Sequence, residues 1–180
     1  QALLVAIGVD DQRKRHFLGF LLGDREEEAS WTALLKDLIS RELDISLLRL
    51  VISDEHKAII SAVAKTIPAP HQLCVVHKQR NAIVRVAAPN RKAFLLDFHD
   101  IFWAASKPHA LVALGQLKAR WTSRYPRAVA IVESNFDAHT RFFDELPEFW
   151  TVLRSTNLIE RFIREIRRRF NSAGAMQSEF

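Results

Sequence analysis

The feature that most constrains this chain is a change of period near residue 78. Before it, short apolar runs alternate with polar turns and helical stretches; after it, every patterned segment repeats at helical spacing. "LLVAIGV" (3–9) and "HFLGFLLG" (16–23) flank the polar "DDQRKR" and predict a β-hairpin. "SWTALLKDLISREL" (30–43) predicts a helix capped by Ser30. "LLRLVIS" (47–53) reads as a buried strand ending at Asp54, "DEHKAIISAVAKTI" as a second helix running to Pro68, and "HQLCVVH" (71–77) as a further strand. The order is β-β-α-β-α-β. Helices are then expected at about 79–87, 91–105, 108–123, 126–143 and 157–170, punctuated by Pro89, Pro108, Pro126 and Pro147. The fold class is α/β, with three expected regions: an α/β unit over 1–78, an all-helical stretch over 79–153, and a final helix with a tail over 154–180. No Gly/Ser-rich linker or repeat separates them, so they are expected to pack as one unit.

A chain of 180 residues, 48% hydrophobic and 26% charged, can bury one substantial core, which excludes disordered and fibrous classes. No apolar run reaches bilayer length and the start carries no signal-peptide pattern, so a soluble, cytoplasmic protein without membrane contact is expected. The lone Cys74 excludes an internal disulfide and agrees with a reducing compartment. A first residue of Gln1 suggests a processed or excised piece. The net charge of +5 is unevenly placed. Residues 77–92 hold Lys78, Arg80, Arg85, Arg91 and Lys92 with no acid, and residues 154–170 hold six arginines against Glu160 and Glu165. Two basic tracts beside apolar helical stripes favour a nucleic-acid surface, against the plainer alternative of solvated faces.

Several residues are candidates for chemistry. Asp54 directly follows an apolar strand, at the kind of edge where ligands collect in α/β proteins; it can equally cap the next helix. Cys74 and His77 form C-x-x-H, which lacks the second pair of a structural zinc site. A supporting role is expected instead, with Cys74 and Val76 on one strand face and His77 in the turn that follows, donating a hydrogen bond near an acidic site. In "STNLIERFIREIRRRF" (155–170), Leu158, Ile159, Phe162, Ile163, Ile166 and Phe170 share a face that must be buried, while Arg161, Arg164, Arg167 and Arg168 fall mostly opposite. Glu160 lies with the arginines. Either it is the N3 acid of a capping box begun by Asn157 and paired to Arg164, or it is an acid that does chemistry. No phosphate-binding glycine loop, serine-hydrolase elbow or zinc-protease helix occurs. Trp103, Trp121 and Trp150 could stack on bases, but tryptophans in helical stripes more often belong to a core.

Together, "VISDEHKAIISAV", "HQLCVVHKQRN", "ARWTSRYPRAVAIVESNFD" and "STNLIERFIREIRRR" resemble the successive signatures of Mutator-type insertion-sequence transposases of bacteria. The similarity runs from about Leu4 to about Ser172. Its specific pieces are the Asp, C-x-x-H and T-N-x-I-E blocks in that order, with W-x-x-x-Y-P at Trp121, Tyr125 and Pro126 between them. The resemblance implies a ribonuclease-H-like mixed sheet with an all-helical insertion before the last acid of an Asp-Asp-Glu triad. It implies Asp54 as the second aspartate and Glu160 as the glutamate, both catalytic and both ligands of a two-ion Mg²⁺ or Mn²⁺ site. Cys74, His77 and Asn157 would support them, while Lys78, Arg80, Arg161, Arg164, Arg167 and Arg168 would bind DNA, both transposon ends and target. Such a protein would act beside the nucleoid.

The resemblance places the family's first aspartate upstream of Gln1, in a first strand this sequence lacks; Asp10 and Asp11 sit in the hairpin turn, where aspartate is favoured for local reasons. The expectation is therefore a transposase catalytic core for phosphodiester cleavage and strand transfer, inactive as given. A raw sheet edge would also invite pairing, so a homodimer is open. Two other readings stay open: a non-catalytic DNA-binding or scaffold module derived from a transposase, and a purely structural helical domain.

Overall fold

The computed structural model describes residues 2–23 and 25–172, apart from the side chains of Arg167, Phe170, Asn171 and Ser172. The tail beyond Ser172 that was assigned to the third region lies outside the described residues.

The expected hairpin is present. Strand β1 (Ala2–Val9) pairs antiparallel with β2 (Arg15–Gly23), with one register shift between Ala6 and Ile7. Asp10 organises the turn, its Oδ1 accepting from the amides of Gln12 at 3.0 Å and Lys14 at 2.7 Å. The aspartate is a local turn residue, as expected. Helix α1 (Glu28–Ser40) packs Leu34 and Leu38 on Leu4 of the hairpin. It starts two residues before Ser30, which is not the cap but donates its hydroxyl to the Arg25 carbonyl from within the first turn. Gly19 leaves room for the Arg41 guanidinium, which crosses from the helix end to donate to the Leu18 carbonyl; a Cβ there would lie 2.5 Å from Nη2.

Strand β3 (Val51–Ser53), helix α2 (Lys57–Thr66) and strand β4 (His71–Leu73) form a β-α-β unit, with β3 and β4 parallel. Two expectations are corrected here. Residues 47–50 are not strand: among the described residues no strand pairs with them, and Leu47 is exposed beyond a turn held by Asp44 and Ser46. The segment 71–77 is a strand only through Leu73. Cys74 N donates the last ladder-like bond to Ser53 O, and helix α3 (Val75–Ile83) begins at the next residue, burying Val75, Lys78 and Ala82. A short apolar run reads alike as buried strand or buried helix, and here the helical partners decide. The described residues thus carry two separate two-stranded sheets rather than one mixed sheet. A ribonuclease-H-like sheet is not formed by these four strands alone. Helices α1 and α2 pack on each other, each over its own strand pair.

The rest of the chain is helical. Helices α4 (Ala88–Phe102), α5 (Lys107–Trp121) and α6 (Pro126–Glu133) each carry a proline at the first or second position, the role expected of Pro89, Pro108 and Pro126. The helix anticipated over 126–143 breaks where Asn135 takes φ 49, giving α7 (Phe136–His139) and a 3₁₀ turn at Arg141–Asp144. A second 3₁₀ turn at Pro147–Phe149 leads into α8 (Trp150–Leu153). These helices and α3 enclose one continuous core, in which Phe94, Phe98, Phe102 and Phe142 are essentially inaccessible. Trp121 belongs to it, as the core reading of the tryptophans anticipates; Trp150 packs on Phe142 and Phe143, while Trp103 is partly exposed.

Helix α9 (Asn157–Ser172) returns to the hairpin, packing Phe162 against Phe17 with the rings tilted and 5.3 Å between centroids. Its apolar face is only half-buried over Leu158, Ile159, Phe162, Ile163 and Ile166, because the two-stranded hairpin is too narrow to cover it.

Candidate functional site

The site lies where β3, α3 and the start of α9 meet. Asp54 is half-buried at the carboxyl end of β3. Its Oδ1 accepts from the His56 amide at 3.2 Å, and His56 rather than Asp54 holds the capping position of α2. Oδ2 has no hydrogen-bond partner among the described residues. The next residue, Glu55, accepts from Asn135 Nδ2 at 2.7 Å and ties this loop to the break between α6 and α7.

Helix α3 supplies the opposite wall. Cys74, His77 and Arg80 recur at every third position, so they line one face of its first turns. Cys74 is buried, and its Sγ accepts from both the amide and the hydroxyl of Thr156 at 3.4 Å. Burial pushes the thiol up, but hydrogen bonds from His77 and Thr156 outweigh it and bring the group below its ordinary value. His77 is raised, first by its bond with Cys74 against the opposing effect of burial, then by the negative charges of Cys74, Glu160 and Asp54. Its Nε2 stands 3.6 Å from Glu160 Oε1. His77 is therefore a helical residue beside the acids rather than a turn residue after a strand, and Cys74 is the helix N-cap rather than a strand residue sharing a face with Val76.

Glu160 sits one turn into α9, its amide donating to the Thr156 carbonyl. Thr156 therefore holds the position before the helix, and Asn157, expected as the cap, is the first helical residue. Glu160 does not pair with Arg164. Both its oxygens face Arg80, accepting from Nη1 at 3.1 Å and Nη2 at 3.0 Å. Residues distant in sequence, Asp54, His77, Arg80 and Glu160, are thereby gathered at one junction.

Lys78 requires a correction. Named as a DNA-binding residue, it is fully buried; its ammonium donates to the carbonyls of Ile131 and Ser134 at 2.6 Å and closes the C-terminal end of α6. Burial lowers its pKa to about 8, opposed by the charge of Glu55. It is a structural cation that no phosphate reaches. Arg161 and Arg164 are exposed on α9. Arg168 is exposed too and donates to Glu165 at 2.9 and 2.7 Å, and Arg168 with Arg169 holds that carboxyl down to about 2. The side chain of Arg167 lies outside the described residues.

Two important residues escaped the sequence reading. Thr156 was passed over for its neighbour Asn157, although threonine before a helix is itself a capping signal. Gln72 is buried, donating to the Leu73 and His139 carbonyls and accepting from the Phe142 amide, which fixes α7 and the following turn against β4. Nothing local marks a strand glutamine for that task.

The donor set suits a hard divalent cation in kind, since Asp54 and Glu160 offer carboxylate oxygens and both act on the same imidazole. In number it is short: among the described residues no group of three or more His, Cys, Asp or Glu side chains is arranged to hold a metal ion. Cys74 is spoken for by Thr156 and His77, which argues against zinc there.

The family model described as "Transposase, Mutator family" matches residues 1–178. The chain belongs to the Mutator family of transposases. Within it, the transposase for insertion sequence element ISRM5 of Rhizobium meliloti is 32% identical over 170 residues, covering 94% of this chain and 42% of that protein. The transposase for element IST2 of Acidithiobacillus ferrooxidans is 32% identical over 168 residues, 93% of this chain and 56% of that protein. The transposase for element IS256 in transposon Tn4001 of Staphylococcus aureus is 32% identical over 174 residues, 92% of this chain and 42% of that protein. The chain spans about half the length of these Mutator-family relatives. Among the described residues no helix is long and apolar enough to cross a membrane.

Proposed function

We propose that this chain carries two carboxylates, Asp54 and Glu160, of an Asp-Asp-Glu transposase core that cleaves phosphodiesters at transposon ends and joins them to target DNA. The observation that carries the reading is their convergence on α3: Ser53, next to Asp54, accepts from the Cys74 amide at the start of that helix, and Glu160 lies 3.6 Å from its His77 and accepts from its Arg80, although the two acids come from distant segments. Asp54 Oδ2 and the two oxygens of Glu160 would hold the metal. A divalent metal held there would supply charge stabilisation for an in-line displacement at phosphorus. His77, with Nδ1 3.5 Å from Thr156 Oγ1 and Nε2 3.6 Å from Glu160 Oε1, would help position the glutamate. Arg161 and Arg164, with Arg167 and Arg168 further along α9, meet the phosphate backbone of bacterial DNA.

Two carboxylates are few for two ions, so these residues alone bind metal weakly and do not cleave. The triad's third carboxylate would be carried by a further strand. That strand would run between the two strand pairs and join them into one ribonuclease-H-like mixed sheet, with 79–153 as its helical insertion. The side-by-side packing of α1 and α2, each over its own pair, supports this arrangement.

The test is Mn²⁺-dependent cleavage of DNA bearing the ends of the encoding element, using the full-length protein. Asp54→Asn and Glu160→Gln should each lower the rate by about a hundredfold or more. Undiminished cleavage by Glu160→Gln would reduce Glu160 to a structural partner of Arg80. Retained, salt-sensitive DNA binding with no cleavage by the unaltered protein would favour a scaffold module instead.

A further inference from the structure

The carboxylate of Glu160 is already taken. Arg80 approaches it in the parallel two-bond geometry in which guanidinium matches carboxylate, 3.1 Å to one oxygen and 3.0 Å to the other. A cation ligated by Glu160 would need those same two atoms. Arginine keeps its charge in proteins, so the pair yields to a competing anion on the arginine or a competing cation on the glutamate.

The surroundings favour exchange. Arg80 is the more exposed partner, with 54% of its side chain accessible against 27% for Glu160, and Glu160 is its sole hydrogen-bonding or ionic partner among the described residues. Glu160 keeps other support at its place, since α9 is fixed beside it by Thr156, which donates to Cys74, and by the Val75 amide, which donates to the Arg154 carbonyl. Removing Arg80 from the pair therefore leaves the glutamate where it is. An ion pair this accessible is weak enough to trade partners, and a phosphate diester accepts the same two N–H groups as a carboxylate does. Arg80 also stands within an acid-free run, 77–92, with the exposed Arg85 beyond it and the exposed Arg161 beside Glu160, so a backbone phosphate would arrive at a positive surface.

We propose that Arg80 switches between Glu160 and a DNA phosphate, so that engagement of the substrate backbone is what frees Glu160 for its divalent ion. This rests on the reading of Glu160 as a metal ligand. It makes Arg80 a positioning residue that links DNA binding to metal loading: without DNA the glutamate is neutralised by a tethered cation, and with DNA the cation moves to the phosphate and the carboxylate becomes available. A purely structural Arg80 would have the opposite sign, because losing it would loosen α9 and weaken any site built on Glu160.

The experiment titrates Mn²⁺ into the full-length protein without DNA, following free Mn²⁺ by its paramagnetic resonance signal, for the unaltered protein and the variants Arg80→Gln, Arg80→Lys and Glu160→Gln. Arg80→Gln should bind Mn²⁺ about fivefold more tightly, from loss of one unit charge about 4 Å away. Arg80→Lys, which keeps the charge but not the fork, should fall between them, and it decides the matter if Arg80→Gln fails to fold. In parallel, the slope of log affinity against log salt for duplex DNA should be shallower by about one in Arg80→Gln. Unchanged or weaker Mn²⁺ binding in the Arg80 variants overturns the switch, and an unchanged salt slope overturns its phosphate half. If Glu160→Gln leaves Mn²⁺ affinity unchanged, it is the metal-ligand reading that fails.

Discussion

The strand region, residues 2–73, and the helical region that begins at α3 solve the problem of burial differently. The helical region closes a core on itself, with Phe94, Phe98, Phe102 and Phe142 essentially inaccessible, and it also buries polar groups: Lys78, His139 and Thr140. Among the described residues the hairpin and α1 share a small buried cluster of Leu4, Leu34 and Leu38, while Phe17, Phe20 and Leu22 remain exposed on β2. Strand pairs two wide cannot screen both faces, whereas helices packed around a common axis cover one another. The candidate acids lie on the seam between the regions, so the helical region acts as a rigid support for a site whose other side is formed by short, narrow sheets.

The comparison can be broken first at its strongest point. Phe98→Ala, in the sealed core, should cost about 3–5 kcal/mol in chemical denaturation. If its cost is instead as small as that of a surface change, the helical region is not the self-sufficient half. Next comes Lys78→Met, which leaves the Ile131 and Ser134 carbonyls without their donor and should cost about 2–3 kcal/mol, whereas Arg80→Met, two residues along the same helix but exposed, should cost under about 1 kcal/mol. Equal costs would deny that burial separates these two cations.

Acid sharpens the contrast through His139. It is buried; its Nδ1 bonds to the Asn135 carbonyl, and Nε2 has no partner. Burial, aided by the charge of Lys78 and opposed by the Asn135 bond, brings its pKa down to about 3. The unfolded chain takes up this proton near the ordinary histidine value of about 6.5 while the folded one does not. The stabilising contribution is therefore complete above that value and is lost as pH falls towards the folded value. Between pH 7 and 5 the loss should be about 2 kcal/mol in a denaturation series, and His139→Gln should flatten that dependence. The smallest effect belongs to the hairpin: Phe20→Ser should change stability by under about 0.5 kcal/mol in chemical denaturation. A loss of several kcal/mol there would show that α9 or another segment covers β2 more fully than Phe17 and Phe162 indicate.

Much of the order of elements was readable because apolar periodicity and proline placement are local signals: the hairpin, α1, α2, the proline-led helices and α9 all stand near their expected places. The errors fall where local signals are degenerate. "CVVH" fits a buried strand and the first turn of a buried helix equally, and the outcome was decided by the Arg154 carbonyl waiting for the Val75 amide. Lys78 and Arg80 look alike in sequence, yet one is buried beneath the end of α6 and the other faces Glu160 across the seam.

By itself the sequence determined the kind of elements, their order and the residues of the T-N-x-I-E and C-x-x-H blocks, because spacing along a helix or strand depends only on near neighbours. The tertiary structure alone decided what those residues do to one another. Whether Glu160 caps its helix or meets Arg80 and His77, and whether a lysine faces solvent or a helix end, depends on groups brought together from distant parts of the chain. No periodicity records such pairs, since they exist only once the core has closed and fixed the distance between α3 and α9.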